Sequence, residues 1–542
     1  MSEVARSGLV MAAGTMTSRI LGLVRATMLA AVIGATGLTA DAFQIANTLP
    51  NQFYALLAGG VLNAVLVPQI IKSQAHADGG QGFTDSLITL ALLVIGGSTL
   101  VLTAAAPVLA ALFSDTSNTQ ALTLTTAFAF ICLPQVFFYG AYSLFGQILV
   151  ARAKFGAYMW APVAANLVAI GGLVLFEQMG LPRRAEVGDW TPTMIGVLAG
   201  SATLSIAIQA ACLIVPLRAI GFRFHPRFAF RGVGLGSASR VAKWTFAGVL
   251  VSTLGFVVTS KVLNRAGDLA AQQGIVAASR STYDYAFLLF MVPHALVTVS
   301  LVTALYTRMA RAVHEEDRRA FVEDFGRGLR MPAVVLIPVT TLIIALGPLV
   351  TSTLFFRSPI PETNAIAGVM MTLVVGVIPY GWIYLNERAF YANEDAFTAF
   401  RIQCVVTAIS VLGTLVAAGL APPQTGRMVG LAQSTAYAVG GLIGFAVLRR
   451  RYGSLGLGQT VRTYLGLGVP AIVTALAIGY AVPRLLPDVT SGRGASALLG
   501  GAVVLAVAGV LQLLLTWAGA RLLGVREVTD LLEPVLRRLP RR

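Results

Sequence analysis

TSRILGLVRATMLAAVIGATGLTADAFQIANTLPNQFYALLAGGVLNAVLVP, running from Thr17 to Pro68, organises the chain. Arg19 and Arg25 are the only charges between Leu9 and Gly34. A helix rises about 1.5 Å per residue and a bilayer core takes roughly 20 residues, so this run is long enough to cross. An arginine near the centre of a lone spanning helix costs about 2.5–3.5 kcal/mol on insertion scales. Two on one helix are tolerable if they face a polar cavity or an anion, and an anionic substrate is inferred. The structural alternative is snorkelling: Arg19, about 15 Å beyond Leu9, lies too deep for it, whereas Arg25 can reach the far interface.

The following segment supports the inference. Asp41, Gln44, Asn47, Asn51 and Tyr54 follow one another at spacings of 3, 3, 4 and 3. That periodicity places them on one helix face, with Phe43, Ile45, Ala46, Leu49 and Phe53 opposite. A short turn, Gly34–Gly37, and Leu38–Ala40 separate the two helices. The pair is expected to line a water-filled vestibule.

The 542 residues are 56% hydrophobic and 11% charged, with mean hydropathy +0.78. Soluble domains carry about 25% charged residues, so a polytopic membrane protein is expected. Cys132, Cys212 and Cys404 are scattered in apolar runs and suggest neither a disulfide framework nor a metal site. The first apolar run is too long for a signal-peptide core and lacks a cleavage pattern.

Hydropathy gives fourteen spans: 9–34, 42–71, 85–113, 120–150, 157–179, 193–217, 239–264, 282–306, 331–355, 365–386, 397–420, 428–448, 463–483 and 495–520. With a cytoplasmic N-terminus, 28 of the 39 Lys and Arg fall on the cytoplasmic side, 8 outside and 3 (Arg19, Arg25, Lys261) within the membrane. This satisfies the positive-inside rule. The net charge of +16 is therefore an orientation signal rather than a sign of nucleic-acid binding. An even span count puts both termini inside.

The basic connection Leu217–Ser239 falls after six spans and is the expected linker between halves. Domains are expected at 1–225 (six spans), 226–455 (six spans) and 456–542 (two spans and a basic tail). Span 2 with Pro50 and span 8 with Pro293 correspond six helices apart, which suggests repeats about an axis along the membrane normal. The mixed-charge connection 307–330 is expected to be a surface helix.

Other polar residues carry two meanings. Lys261 of span 7 adds a third cation to a cavity or snorkels outward. Arg280 and Asp284, four apart, suit a helical ion pair. His294 is a satisfied interior histidine or a proton carrier. Glu387, Arg388, Asn393, Glu394 and Asp395 suit a solvated turn or a gate latch. No phosphate loop, metal-ligand spacing or nucleophile elbow is present in the sequence, and no cofactor is expected.

At TSRILGLVR, ADAF, LPN and the glycine-rich run to Val67–Pro68, the chain resembles the MurJ (MviN) lipid II flippases. These belong to the multidrug/oligosaccharidyl-lipid/polysaccharide exporter superfamily. Phe390–Ala399, FYANEDAFTA, resembles the family's turn between spans 10 and 11, and the likeness covers essentially the whole chain. It implies an all-α polytopic protein with two six-helix lobes around a central cationic cavity, plus two C-terminal helices forming a lipid-tail groove. It implies alternating access that moves undecaprenyl-pyrophosphate-linked disaccharide-pentapeptide outward across the bacterial inner membrane. Arg19 and Arg25 match the family's two span-1 arginines, and Asp41 its acidic residue opening span 2. Tyr54 and Ala55 stand where many members have an arginine pair, and Phe287 and Leu288 where many have Asp-Arg. Ala26 replaces a frequent acidic residue. Lys261 and Arg280 are expected to supply the missing charge.

The candidate substrate-binding residues are thus Arg19, Arg25, Asp41, Gln44, Asn47, Asn51, Lys261 and Arg280. Arginine grips phosphate oxygens through a planar fork. On an ideal helix Arg19 and Arg25 lie about 9 Å apart along the axis and roughly 120° around it. Gly14 and Gly22, flanked by Thr15, Thr17 and Ser18, permit a bend or a close helix contact. The expected partners are lipid II, membrane lipids and cell-wall synthesis proteins, with no nucleic acid, and the protein is expected to be a monomer. The competing functions are a polysaccharide-lipid or drug exporter, a membrane enzyme, and a non-transporting scaffold. The intramembrane excess of positive charge favours an anionic lipid over a cationic drug.

Overall fold

The computed structural model describes residues 3–57, 81–115, 117–152, 154–228, 239–487 and 495–530. The described residues are helical throughout, joined by short turns. They divide into two compact units, Met1–Ala271 and Gln272–Arg542.

The first unit contains α1 (Glu3–Ile33), α2 (Leu38–Leu57), α3 (Gln81–Ala104), α4 (Ala106–Phe113), α5 (Thr119–Cys132) and α6 (Gln135–Ala151). It continues with α7 (Phe155–Gln178), α8 (Pro192–Ala211), α9 (Ile214–Ala219) and most of α10 (Ser239–Gln272). The second unit contains α11 (Arg280–Pro293), a π-helical turn (His294–Val299), α12 (Ser300–His314), α13 (Arg318–Ala345), α14 (Gly347–Leu354) and α15 (Ile360–Val374). It ends with α16 (Val377–Ala392), α17 (Ala396–Ala417), α18 (Pro422–Tyr452), α19 (Leu457–Leu485) and α20 (Ala495–Leu522).

Twelve helical segments are long and apolar enough to cross a bilayer, and the α15–α16 pair, bent by 47°, makes a thirteenth. Each corresponds to an expected span. The remaining one, span 2, is described only to residue 57. The glycine-rich run to Pro68, Lys72, residues 229–238, Arg493 and the tail from 531 lie outside the described residues. Apolar side chains such as Leu100, Val215, Leu476 and Leu499 are 66–74% exposed on these helices, which is the surface a lipid solvent requires. This is a multi-pass membrane protein.

Local sequence sets the breaks. Gly34 (φ +95°) and Gly37 (φ +97°) turn the chain between α1 and α2 in a conformation other residues rarely adopt. Pro134 lacks an N–H and separates α5 from α6. The side chains of Asn118, Thr191, Asp317 and Asp395 cap α5, α8, α13 and α17. Pro293 is followed at once by the π-helical turn.

The first unit packs on Phe43, Leu49, Phe128, Phe176 and Leu198, with Phe43 edge-on to Phe128 at 5.4 Å. Here α10 docks on α4: Phe256 packs against Phe113, and Asn264 donates to the Phe113 carbonyl at 3.0 Å. Span 7 thus belongs to the first compact unit.

The connection 307–330 is corrected. It is no separate surface helix, because α12 continues to His314 and α13 begins at Arg318, leaving one tight turn. The pairing of Arg308 with Asp324 ties these two helix extensions together at 2.8 Å.

Candidate functional site

Helix α1 is pinned to α7 beside Arg19. Asn166 Nδ2 donates to the Ser18 carbonyl at 3.1 Å and lies 3.3 Å from Ser18 Oγ. A Cβ on Gly14 would lie 2.9 Å from the Trp160 ring, so the glycine permits the close approach. α1 is one unbroken helix. Arg19 and Arg25 are both half-buried. Among the described residues neither forms an ion pair with a carboxylate.

The polar stripe of α2 is graded in burial. Asp41 and Gln44 are buried, Asn47 and Tyr54 are half-buried, and Asn51 is exposed. A vestibule wall accounts for the Asn51 end but not for the Asp41 end, which lies within the protein. Phe43, Ile45, Ala46 and Leu49, on the opposite face, are core residues as their spacing predicts.

The structure adds side chains from α6 that were not singled out in the sequence. Gln135 Nε2 lies 3.3 Å from Asn47 Oδ1 and 3.1 Å from Thr203 Oγ1. Tyr139 stacks on Tyr54 at 5.8 Å and lies within electrostatic range of Arg25. Arg25, Asn47, Tyr54, Gln135 and Tyr139 thus form a polar seam through the first unit. The sequence signal for Gln135 is slight: one amide following Pro134 in an apolar run.

Lys261, on α10, is exposed. In the second unit Arg280 is 2% exposed and bound by Asp284: Nε donates at 3.2 Å and Nη2 contacts the other oxygen. Its guanidinium also lies over the Tyr283 ring. Arg280 is therefore charge-compensated here rather than presented as an open cation. Arg388 is half-buried rather than in a solvated turn. It lies over the Tyr306 and Tyr384 rings at 5.6 and 4.8 Å and donates to the Tyr384 hydroxyl.

Guanidinium groups on an apolar helix, with no carboxylate partner among the described residues, suit a multidentate anion on a lipid. A profile of the family described as Lipid II flippase MurJ matches residues 29–499. The chain belongs to the lipid II flippase MurJ family. Among relatives, the Lipid II flippase MurJ of Burkholderia cenocepacia is 27% identical over 419 residues, which is 74% of this chain and 76% of that one. The "Probable lipid II flippase MurJ" of Haemophilus influenzae is 25% identical over 497 residues, 88% of this chain and 91% of that one.

The fold is that of a solved lipid II flippase MurJ in an inward closed conformation, with TM-score 0.70 and 17% identity, covering 98% of this chain and 100% of that one. An inward-facing multidrug resistance MATE transporter of the MOP superfamily matches at TM-score 0.61 and 15% identity, covering 82% of this chain and 98% of that one. The family match begins after Arg19 and Arg25, so the case for these arginines rests on their position in the span and on the structure around them.

Proposed function

We propose that the chain carries lipid II from the inner to the outer leaflet of the bacterial inner membrane by alternating access. Arg19 and Arg25 bind the pyrophosphate, with Gln44, Asn47 and Asn51 on the neighbouring helix and Lys261 adding charge. Asp41 lies at the buried end of that stripe, and Arg280, held by Asp284, becomes available only if that pair opens. Both termini face the cytoplasm, the protein acts as a monomer, and it carries out no covalent chemistry. One observation carries the reading: two guanidinium groups lie half-buried in an apolar span with no carboxylate partner among the described residues. A diphosphate, with about two negative charges, is the complement they lack.

In vesicles holding a labelled pyrophosphate lipid, the protein should speed leaflet exchange. A hydrogen bond to a charged group contributes about 1.5–3 kcal/mol, so Arg19→Ala or Arg25→Ala should slow exchange roughly ten- to hundredfold. Lysine at either position should restore only part, because it lacks the fork. Folded protein that exchanges no pyrophosphate lipid would overturn the reading. Transport of an organic cation instead would favour the drug exporter, and no transport at all the scaffold.

A further inference from the structure

The function proposed above leaves one guanidinium of the second unit without a task. Tyr380, Tyr384 and Arg388 follow at four-residue spacing on α16, so they share a face, and all three are half-buried. α16 approaches the π-helical turn at Gly381, where an added Cβ would lie 3.3 Å from the Thr298 side chain. His294, in that turn, is 1% exposed, and its ring lies 4.5 Å from Tyr380 and edge-on to Tyr384 at 5.8 Å. Tyr384 is thus backed by a buried ring. The Arg388 guanidinium lies over the Tyr384 ring at 4.8 Å and over the Tyr306 ring of α12 at 5.6 Å. It donates to the Tyr384 hydroxyl at 3.1 Å.

Rings hold a cation differently from carboxylates. Asp284 and Glu527 neutralise Arg280 and Arg330 and occupy their N–H edges. Phenol rings attract a guanidinium through their π faces, so they fix its position and leave its charge uncancelled. A guanidinium has five N–H donors, and among the described residues the Tyr384 hydroxyl is the one acceptor that Arg388 reaches. No carboxylate there forms an ion pair with it. Glu387, its neighbour in sequence, is within electrostatic range, but its Oε1 accepts from the Tyr391 hydroxyl at 2.7 Å. A cation held in place with donors to spare complements an acceptor-rich anion, and phosphate oxygens match its fork. α16 ends at Ala392, about one turn beyond Arg388. The anion therefore lies near the end of a spanning helix, at the depth of lipid headgroups.

We propose that Arg388, clamped by the Tyr306 and Tyr384 rings, binds a phosphate of a lipid headgroup, and that this lipid is the one carried. A diphosphate offers more acceptor oxygens than a phosphodiester, and Arg280, the other candidate cation of this unit, is occupied by Asp284. The choice of the carried lipid over a bilayer phospholipid rests on the proposed function. The anion site itself does not.

Arginine footprinting of the full chain in nanodiscs of neutral phospholipid tests it. A guanidinium-specific dicarbonyl should modify Arg388, read by mass spectrometry, and a pyrophosphate lipid should slow the modification several-fold. Phosphatidylglycerol at the same concentration should protect less. An Arg388 inert to the reagent without added lipid, or protected by neither lipid, overturns the proposal. Equal protection by phosphatidylglycerol overturns the choice of the carried lipid. Arg388→Ala and Arg388→Lys should each weaken pyrophosphate-lipid binding roughly tenfold or more, the lysine because it keeps the charge but lacks the fork. Tyr384→Phe keeps the ring and should bind within about threefold of wild type. Thermal unfolding of Arg388→Lys should stay at the wild-type temperature, which separates lost binding from lost folding. Wild-type affinity in Arg388→Lys overturns the proposal. Neither measurement involves leaflet exchange, so a protein that binds but does not exchange would sink the flippase reading and leave this site standing.

Discussion

Replacing Glu527 by alanine should free the last described segment of the chain from α13 and α19. After α20 the chain turns at Gly524 (φ +75°) and folds back. Val525 and Val528 then join Ala333, Val334, Leu467 and Ala471 in one apolar cluster. Glu527, 5% exposed, lies beside them. Its Oε1 accepts from Arg330 Nε at 2.7 Å and from Gln459 Nε2 at 3.0 Å, and its Oε2 accepts from Thr463 Oγ1 at 3.0 Å. Alanine leaves Arg330, itself 9% exposed, as an uncompensated buried charge. Breaking a buried pair from one side costs about 3–5 kcal/mol. At about 1.4 kcal/mol per tenfold, amide-exchange protection over residues 525–530 should fall by roughly two to three orders of magnitude. Hydrogen-exchange mass spectrometry in nanodiscs reads this directly. Arg330→Met combined with Glu527→Leu should recover most of the protection, since an apolar pair of similar volume replaces a buried ion pair at little cost. Protection within threefold of wild type in Glu527→Ala, or a double variant no better than the single one, would refute the reasoning.

Three further outcomes are expected. Gly37→Ala should cost about 1–2 kcal/mol through backbone strain, with no steric part because nothing lies within 4 Å of the added Cβ, and Gly37→Asn should cost less; thermal unfolding in detergent checks the order. Gly172→Ala should destabilise by about 1–3 kcal/mol, because its Cβ would overlap Ser201 Cβ and force α7 from α8, whereas Gly171→Ala, with open space, should be mild. Asp395 gives an acid limb to stability. Burial pushes its carboxyl up, but hydrogen bonds from Thr398 and Arg451 outweigh this and hold it below the usual aspartate range. The unfolded chain then binds the proton more readily, so the contribution is present above the unfolded value and is lost as pH falls through the folded one. Asp395→Asn should flatten that limb in a stability profile taken below about pH 5.

The sequence was most informative where the physics is local. A bilayer leaves no water for backbone groups, so each apolar run long enough to cross must be a helix, and thirteen of the expected spans are helical as described. Arg19 and Arg25 stood out because charge in such a run is rare whatever its surroundings. The α2 periodicity separated Phe43 and Leu49 from Asn47 and Asn51 for the same reason. The connection 307–330 misled because mixed charge marks contact with water, and a spanning helix that continues into water carries the same pattern as a surface helix.

Partners distant in sequence were decided only by tertiary structure. That Arg25 has no carboxylate partner among the described residues depends on which helices surround it, whereas the Arg280–Asp284 pair, four residues apart on one helix, is legible in the sequence. Asn264 and Phe113 lie 151 positions apart, and Arg330 and Glu527 lie 197 apart. Burial and hydrogen-bond satisfaction are properties of an environment assembled from many segments, so they exist only once the chain has closed around those atoms. The sequence by itself settled that the chain is a many-span α-helical protein carrying unusual intramembrane charge. Tertiary packing decided which of those charges remain open and which buried polar groups meet across helices distant in sequence.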